Sequence, residues 1–472
     1  MSDAPGDRPP SVEAHRDRRD ERRTILRISL PLTAAYMAEM GMVITDMIIV
    51  GRLGSNELAA VGLAGDLFWI FLLIGMGVIS IVGVLAAQNL GAGKIDALRR
   101  TCAQGMIAAT ITSLPIMACV GFMGPLLGLM DQDPAVVDLV TDYSRALVLS
   151  VFPTLWFVVL RNYITALARS AAIGWIMVAA VLLNLALNVT LVFGMLGLPA
   201  LGVVGAGIGT TLVNWTMFAA LVIYVRRAPE LAAYRPHIVP RRLDTSLLRE
   251  LFSLGLPVAM TQTLNGGMFS TAAVLVGLIG ATTLAAQQIV YSVLYLAMSF
   301  AGGFADAVRV RVAFFLGRRD LAAARQSARL AVILAAICTL AACSVLWLIP
   351  DLLVGVFLAE DDADKLDVMA IALSLSAAAG VFLFLDCTQL VLANALRGLR
   401  DTRSPLWISF VGYWAVGLGS GVLLAFELDQ GAVGLWWGLV LGVVLCNVLL
   451  GVTLRRRLAD ALRPTEPAGT MS

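Results

Sequence analysis

Histidine is almost missing from this 472-residue chain: there are two, His15 in a charged tail and His237 in a polar loop. A catalytic or metal centre built on imidazole is therefore not in prospect. Charge is scarce as well, at 14% of residues, against about 25% in soluble proteins. The six cysteines (Cys102, Cys119, Cys338, Cys343, Cys387, Cys446) lie in apolar stretches without CxxC spacing. They read as packing residues, neither a disulfide frame nor a metal site. No HExxH motif and no nucleophile–base set occurs, which argues against an intramembrane transferase or protease. The polar opening residues are not followed by a short apolar core with a small-residue cleavage site, so no signal peptide is read.

What fills the chain is apolar: 59% of residues are hydrophobic and mean hydropathy is +0.86. A bilayer core of about 30 Å takes roughly 20 helical residues to cross. Twelve stretches qualify: 26–50, 58–90, 102–130, 146–167, 171–193 and 201–225, then 251–278, 284–315, 330–349, 368–396, 405–426 and 432–454. The expected fold is an all-α polytopic membrane protein of twelve transmembrane helices.

The chain also says the same thing twice. GRLGSNELAA at 51–60 returns as GLIGATTLAA at 277–286, an offset of 226 that also carries Pro31 onto Pro257 and Leu90-Gly91 onto Leu316-Gly317. Further on the offset is 229, relating Gly202, Gly205 and Gly209 to Gly431, Gly434 and Gly438. Constant spacing over a whole half marks an internal duplication. Six helices per half is even, so the two repeats are parallel, with substrate expected between or within them. A central cavity lined by the first, second, seventh and eighth helices follows. The expected divisions are a disordered cytoplasmic tail over 1–24, an amino-terminal lobe over 25–226, a linker over 227–248, a carboxy-terminal lobe over 249–455 and a tail over 456–472.

Basic residues fall on alternate loops: Arg16 to Arg23, then Lys94, Arg99 and Arg100, then Arg226 to Arg242, Arg318 to Arg325, Arg397 to Arg403, and Arg455 to Arg457. The opposite loops carry Asp131 and Asp133, then Glu360, Asp361, Asp362 and Asp364, then Glu427 and Asp429. Lys/Arg retention places both termini in the cytoplasm, in the plasma (inner) membrane.

Acids inside spans are costly, about 2.5–3.5 kcal/mol each near the centre, and so call for a role. The first helix holds Glu39 and Asp46, seven residues apart on one face. Asn184 and Asn188, i and i+4 on the fifth helix, offer amide oxygens. A carboxylate with such neighbours suits a hard monovalent cation, or a carboxyl that alternates between protonated and ionised. Asp386 stands alone in the tenth helix with Gln389 three residues on. Asp306 reads as an ion pair with Arg309 at i+3 or the nearby Arg311, Asp66 as a weaker candidate, and Arg161 as a snorkelling or acid-paired residue. Tyr36, Met40 and other first-helix methionines suit either an adaptable ligand surface or packing.

These residues sit in segments that resemble the multidrug and toxic compound extrusion (MATE) family, NorM-type and DinF-like members included. The likeness covers roughly 25–455. It rests on PLTAAYMAEMGMVITDMIIVGRLGSNELAAVGLA, GAGKIDALRR, LLNLALNVTLVFGMLGLPALGVVGAGIGTT, LGLPVAM, LAAQQIVYSVLYLAMSF and LDCTQLVLANALRGLRDTRSP in that order. It implies a V-shaped bundle that exports organic, often cationic, compounds in exchange for H+ or Na+, with no cofactor and no enzymatic activity. By that likeness Asp46 is the coupling carboxylate, with Asn184, Asn188 and Thr210 beside it; it holds no resident metal, and the ion it carries is H+ or a transported Na+. Asp386 matches the second-lobe aspartate. The helix-seven glutamate of NorM-type members falls here on Asn265, so the second lobe lacks one acid, while the 226 offset maps Asn265 onto Glu39. Expected partners are small organic substrates and the lipid bilayer, not nucleic acid, with the chain a monomer. A flippase or exporter of a lipid-linked or specialised metabolite is the alternative; the acidic interior favours cationic or neutral cargo.

The topology has a direct check. External labelling of single cysteines should modify a probe near Asp362 and spare one near Arg235; the opposite pattern would reverse the orientation.

Overall fold

The computed structural model describes residues 10–129, 132–195, 197–238, 242–348 and 365–460. The start of the amino-terminal tail, the loop acids Asp131, Glu360, Asp361, Asp362 and Asp364, and the tail beyond 460 lie outside the described residues. Among the described residues twelve long helices carry the chain. The first half has α1 (Pro10–Gly51), α2 (Ser55–Gly91), α3 (Ile95–Gly121), α4 (Pro134–Ala166), α5 (Ala171–Phe193) and α6 (Gly202–Arg227). The second has α7 (Thr245–Ile279), α8 (Ala281–Gly317), α9 (Leu321–Leu348), α10 (Lys365–Gly398), α11 (Arg403–Glu427) and α12 (Gly431–Asp460). All but α8 contain an unbroken stretch able to cross a membrane, and α8, bent by 43° between Ser292 and Ala297, makes the twelfth span.

Helix α1 begins earlier than expected. Residues 10–24, read as a disordered tail, continue the helix, and Glu21 among them has a partner in the other half. The buried Glu21 carboxylate accepts from Arg311 Nε at 3.0 Å and Nη2 at 2.5 Å, and from Ser327 Oγ at 2.7 Å. The rings of Phe314 and Phe315 lie 5.0 and 4.6 Å from the same guanidinium. Arg311 is thereby taken away from Asp306.

Pro31 lies inside α1. It has no N–H for the carbonyl of Arg27, and a helix in lipid cannot leave that group to water. Ser170, just before α5, donates its hydroxyl to Arg27 O at 3.1 Å and to Ile28 O at 3.0 Å. The linker is likewise strapped to the first half: Tyr163 donates to Tyr234 O at 2.6 Å, Arg99 to Ala233 O at 2.8 Å and Gln104 to Arg242 O at 2.7 Å. Asp244 then caps α7 by accepting from Leu247 N at 3.0 Å.

The two halves meet where α1 packs on α8 and α2 on α7. Glycine sets the approach. A Cβ on Gly91 would strike Phe314 O, and one on Gly317 would strike Gln88 O; residues 91 and 88 map onto 317 and 314 by the 226 offset. Nearer the middle, Gly77 faces Ala259 and Gly303 faces Thr33, again reciprocal under the same offset. A contact and its image exchanged between halves is the signature of a twofold axis. Toward the other end of these helices the halves part: a Cβ on Gly41, Gly65 or Gly266 would meet nothing within 4 Å. The bundle is a V, closed at the α2–α3 and α8–α9 loops and open at the α1–α2 and α7–α8 loops.

Side chains added on the two sides of this contrast should act oppositely. Gly317→Val overpacks the joint and should lower stability by about 1–3 kcal/mol. Gly41→Ala should raise it by about 0.5–1 kcal/mol through helix propensity. Thermal unfolding in detergent compares the two.

Candidate functional site

Asp46 lies inside the first half, not between the halves. On α5 the spacing of Asn184 and Asn188 puts both amides on one face, 1% and 0% exposed. Helix α6 comes close because residue 209 is glycine; a Cβ there would strike Asn188 Oδ1. Asn188 Nδ2 donates to Asp46 Oδ1, and Asn184 and Thr210 stand within side-chain hydrogen-bond reach of the same carboxylate. Thr210 also donates to Ala206 O at 3.1 Å. Tyr143, buried on α4, lies within electrostatic range of Asp46; sequence reading passed over it. The Oδ1 atoms of Asn184 and Asn188 are buried with no hydrogen-bond partner among the described residues. The Asp46 carboxylate and the amides of Asn184 and Asn188 offer oxygen donors of the kind that suits a hard cation, Asn188 presenting its oxygen once its amide turns from the hydrogen bond it makes here. Among the described residues no three His, Cys, Asp or Glu side chains converge as a metal centre.

Asp386 occupies the second half in a different way. It is 5% exposed and accepts from Tyr413 Oη. Tyr413 sits in a π-helical stretch of α11, Phe410–Leu418. The widened turn points Tyr413 at α10 while its neighbour Trp414 donates to Leu264 O on α7 at 3.1 Å. Such local widening is frequent at functional sites. Asn265 carries a buried, unpartnered Oδ1 and no hydrogen bond to Asp386 among the described residues, so these two predicted residues are not joined. Gln389, 2% exposed, donates to Ser409 Oγ at 3.3 Å and ties α10 to α11.

The third group lies at the joint. Glu39 is half-buried on α1 with Arg161 in electrostatic range. Tyr36 donates to Asp306 Oδ2 at 2.7 Å across to the other half, and Arg309 Nη2 lies 2.8 Å from Asp306 Oδ1. The Asp306–Arg309 pair is as expected from its spacing. Met40 is half-buried beside this group in sequence, and Asp66 is exposed.

Two matches to one family model begin 226 residues apart. The MatE model covers residues 31–190 and 257–423. The chain belongs to the MATE family. Among its relatives, the probable multidrug resistance protein NorM of a Synechococcus strain is 34% identical over 457 residues, covering 96% of this chain and 98% of that protein. The Pseudomonas putida protein of the same name is 34% identical over 430 residues, 91% and 93% of the two chains. Multidrug resistance protein NorM of Burkholderia vietnamiensis is 32% identical over 426 residues, 90% and 91%. Solved folds agree: an outward-facing multidrug resistance MATE family transporter superposes with a TM-score of 0.85 at 20% identity, over 95% of this chain and 98% of that one. A eukaryotic MATE transporter gives 0.83 at 19% identity, over 94% and 99%.

Within this MATE protein the Tyr413–Asp386 bond can be weighed by itself. Tyr413→Phe removes the donor from a buried carboxylate and should cost about 1–3 kcal/mol of stability. Asp386→Asn keeps an acceptor for Tyr413 and removes the charge, so it should cost less. Thermal melts of the two variants in nanodiscs decide the order.

Proposed function

We propose that this protein exports small organic compounds, cationic or amphipathic, by exchange for H+ or Na+, as a monomer in the plasma (inner) membrane with both termini cytoplasmic. Its work is transport and not catalysis. The observation that carries the reading is the Asp46 cluster: one carboxylate and two orphaned amide oxygens inside the first lobe of a MATE bundle. The NorM-named relatives support multidrug efflux. With the basic loops inside, the closed end of the V is cytoplasmic and the cleft opens outward.

An ion gradient moves a transporter only if the ion binds its two conformers differently. A proton on Asp46 removes the acceptor charge that Asn188 serves; Na+ there would draw in the Asn184, Asn188 and Thr210 oxygens. Either event repacks α1 against α5 and α6. Burial favours the neutral carboxyl and a nearby cation favours the ionised one, so both coupling ions remain chemically suited to the same residues.

Proteoliposomes under separately imposed Na+ and H+ gradients test this. Asp46→Asn should express near normally, since it keeps shape and removes a costly charge, yet gradient-driven transport should collapse. Asp386→Asn should impair transport less, because the helix-seven position that would supply a second acid is Asn265. Wild-type coupling in a well-folded Asp46→Asn protein would sink the assignment.

A further inference from the structure

The twofold joint between the halves is symmetric in its glycines and asymmetric in its charges. By the 226 offset, Tyr36 maps onto Gln262, Glu39 onto Asn265, Asp306 onto Ser80 and Arg309 onto Gly83. One crossing is therefore small-residue packing, Gly77 on Ala259. The other is a buried chain of polar contacts that passes between the halves twice. Tyr36 on α1 donates to Asp306 on α8 at 2.7 Å. Asp306 pairs with Arg309 at 2.8 Å, and Arg309 donates back to Asn162 Oδ1 on α4 at 3.1 Å. Asp306, Arg309 and Asn162 are 9%, 5% and 4% exposed. Both carboxylate oxygens of Asp306 are occupied.

Arg161, next to Asn162, is the member left over. It is buried, its guanidinium stands 5.3 Å from the centre of the Tyr36 ring, and it makes no hydrogen bond or ion pair among the described residues. Its electrostatic neighbours are Tyr36, Glu39 and Asp306, one acid from each half. Arg397, buried on α10, adds a third guanidinium in range of Asp306 and Arg309. Three arginines thus share two acids. Glu39 is the acid on the open side of the group: one helical turn from Tyr36 toward the mouth, half-buried, and two residues from Gly41, beside which there is empty space.

We infer that Glu39 is a second cation-recognising carboxylate, for an organic cation in the cleft, and that Arg161 relays its occupancy to Asp306 across the joint. The inference rests on the efflux reading. An unpaired guanidinium between two acids leans toward whichever keeps its charge. When a substrate cation neutralises Glu39, Arg161 turns to Asp306 and adds an ion pair between the halves where Tyr36 supplies a neutral hydrogen bond. Substrate arriving from the cytoplasmic side thereby favours the conformer sealed at that side, which is the one described above. A ligand shifts such an equilibrium only through its preference for one conformer, and Arg161 provides that preference without touching the cargo.

The signature is opposite shifts from neutralising two acids of one cluster. Spin labels on cysteines at Lys94 and Asp320, exposed and related by the offset at the closed end, report the sealed fraction by distance measurement in nanodiscs. Without ligand, Glu39→Gln should raise the sealed-to-open ratio and Asp306→Asn lower it, each by about tenfold. Tyr36→Phe should move in the direction of Asp306→Asn and covers the case in which that variant folds poorly. Tetraphenylphosphonium, as the probe cation, should raise the sealed fraction of the wild type and leave Glu39→Gln unmoved. Shifts of the same sign in Glu39→Gln and in Asp306→Asn or Tyr36→Phe, or a full response to the cation in Glu39→Gln, would overturn the relay. Wild-type vesicles that fail to transport any organic cation would instead defeat the efflux reading, while the ligand-free shifts still judge the contact between Arg161 and Asp306.

Discussion

Backbone touching backbone at the joint between halves is the constraint on which the rest depends. In lipid, helices gain nothing from burying leucine against leucine, so association falls to close packing and to satisfied polar groups. Gly91 and Gly317 let α2 and α8 settle onto each other, and a few turns further in Gly77 and Gly303 let α2 settle onto α7 and α8 onto α1. Because these contacts lie at one end only, the halves are held as a V without being merged. A bundle packed evenly along its length would have no cleft.

On that symmetric frame charge is placed in three unlike ways. Asp46 has amide and hydroxyl neighbours and, beside it, two buried amide oxygens without partners, a donor chemistry suited to the small cation proposed for it. Asp386 is held by Tyr413, both of them buried within the second lobe. Asp306 belongs to neither lobe alone, since its partners come from both. The duplication supplied the helices twice and the chemistry once.

Much of this was legible in the residues. Long apolar runs located all twelve helices, the offset of 226 anticipated reciprocal contacts between halves, and the i,i+4 asparagines showed one polar face on α5. What periodicity reports is the face of a helix, and it is silent on which helix lies opposite. Tyr413 was therefore missed as the partner of Asp386: it lies 27 residues on, in an apolar stretch whose widened turn turns it inward. Glu21 was misread for a related reason. A charged segment resembles a solvated tail until an arginine 290 residues away is found waiting for it. Asn162 drew no notice in α4 because its partner, Arg309, belongs to the other half, and Arg161 read only as a snorkelling or acid-paired residue.

The straps on the linker have a consequence for how the halves find each other. With Tyr234, Ala233 and Arg242 tied down by Tyr163, Arg99 and Gln104, the connecting segment is anchored to the first half at points as far along as Arg242. The free tether shrinks to the step between Arg242 and the Asp244 cap of α7. A short tether holds two bodies at a high effective concentration, about millimolar or more. Weak, glycine-thin contacts at the joint can then break and reform many times without the halves ever drifting apart in the bilayer.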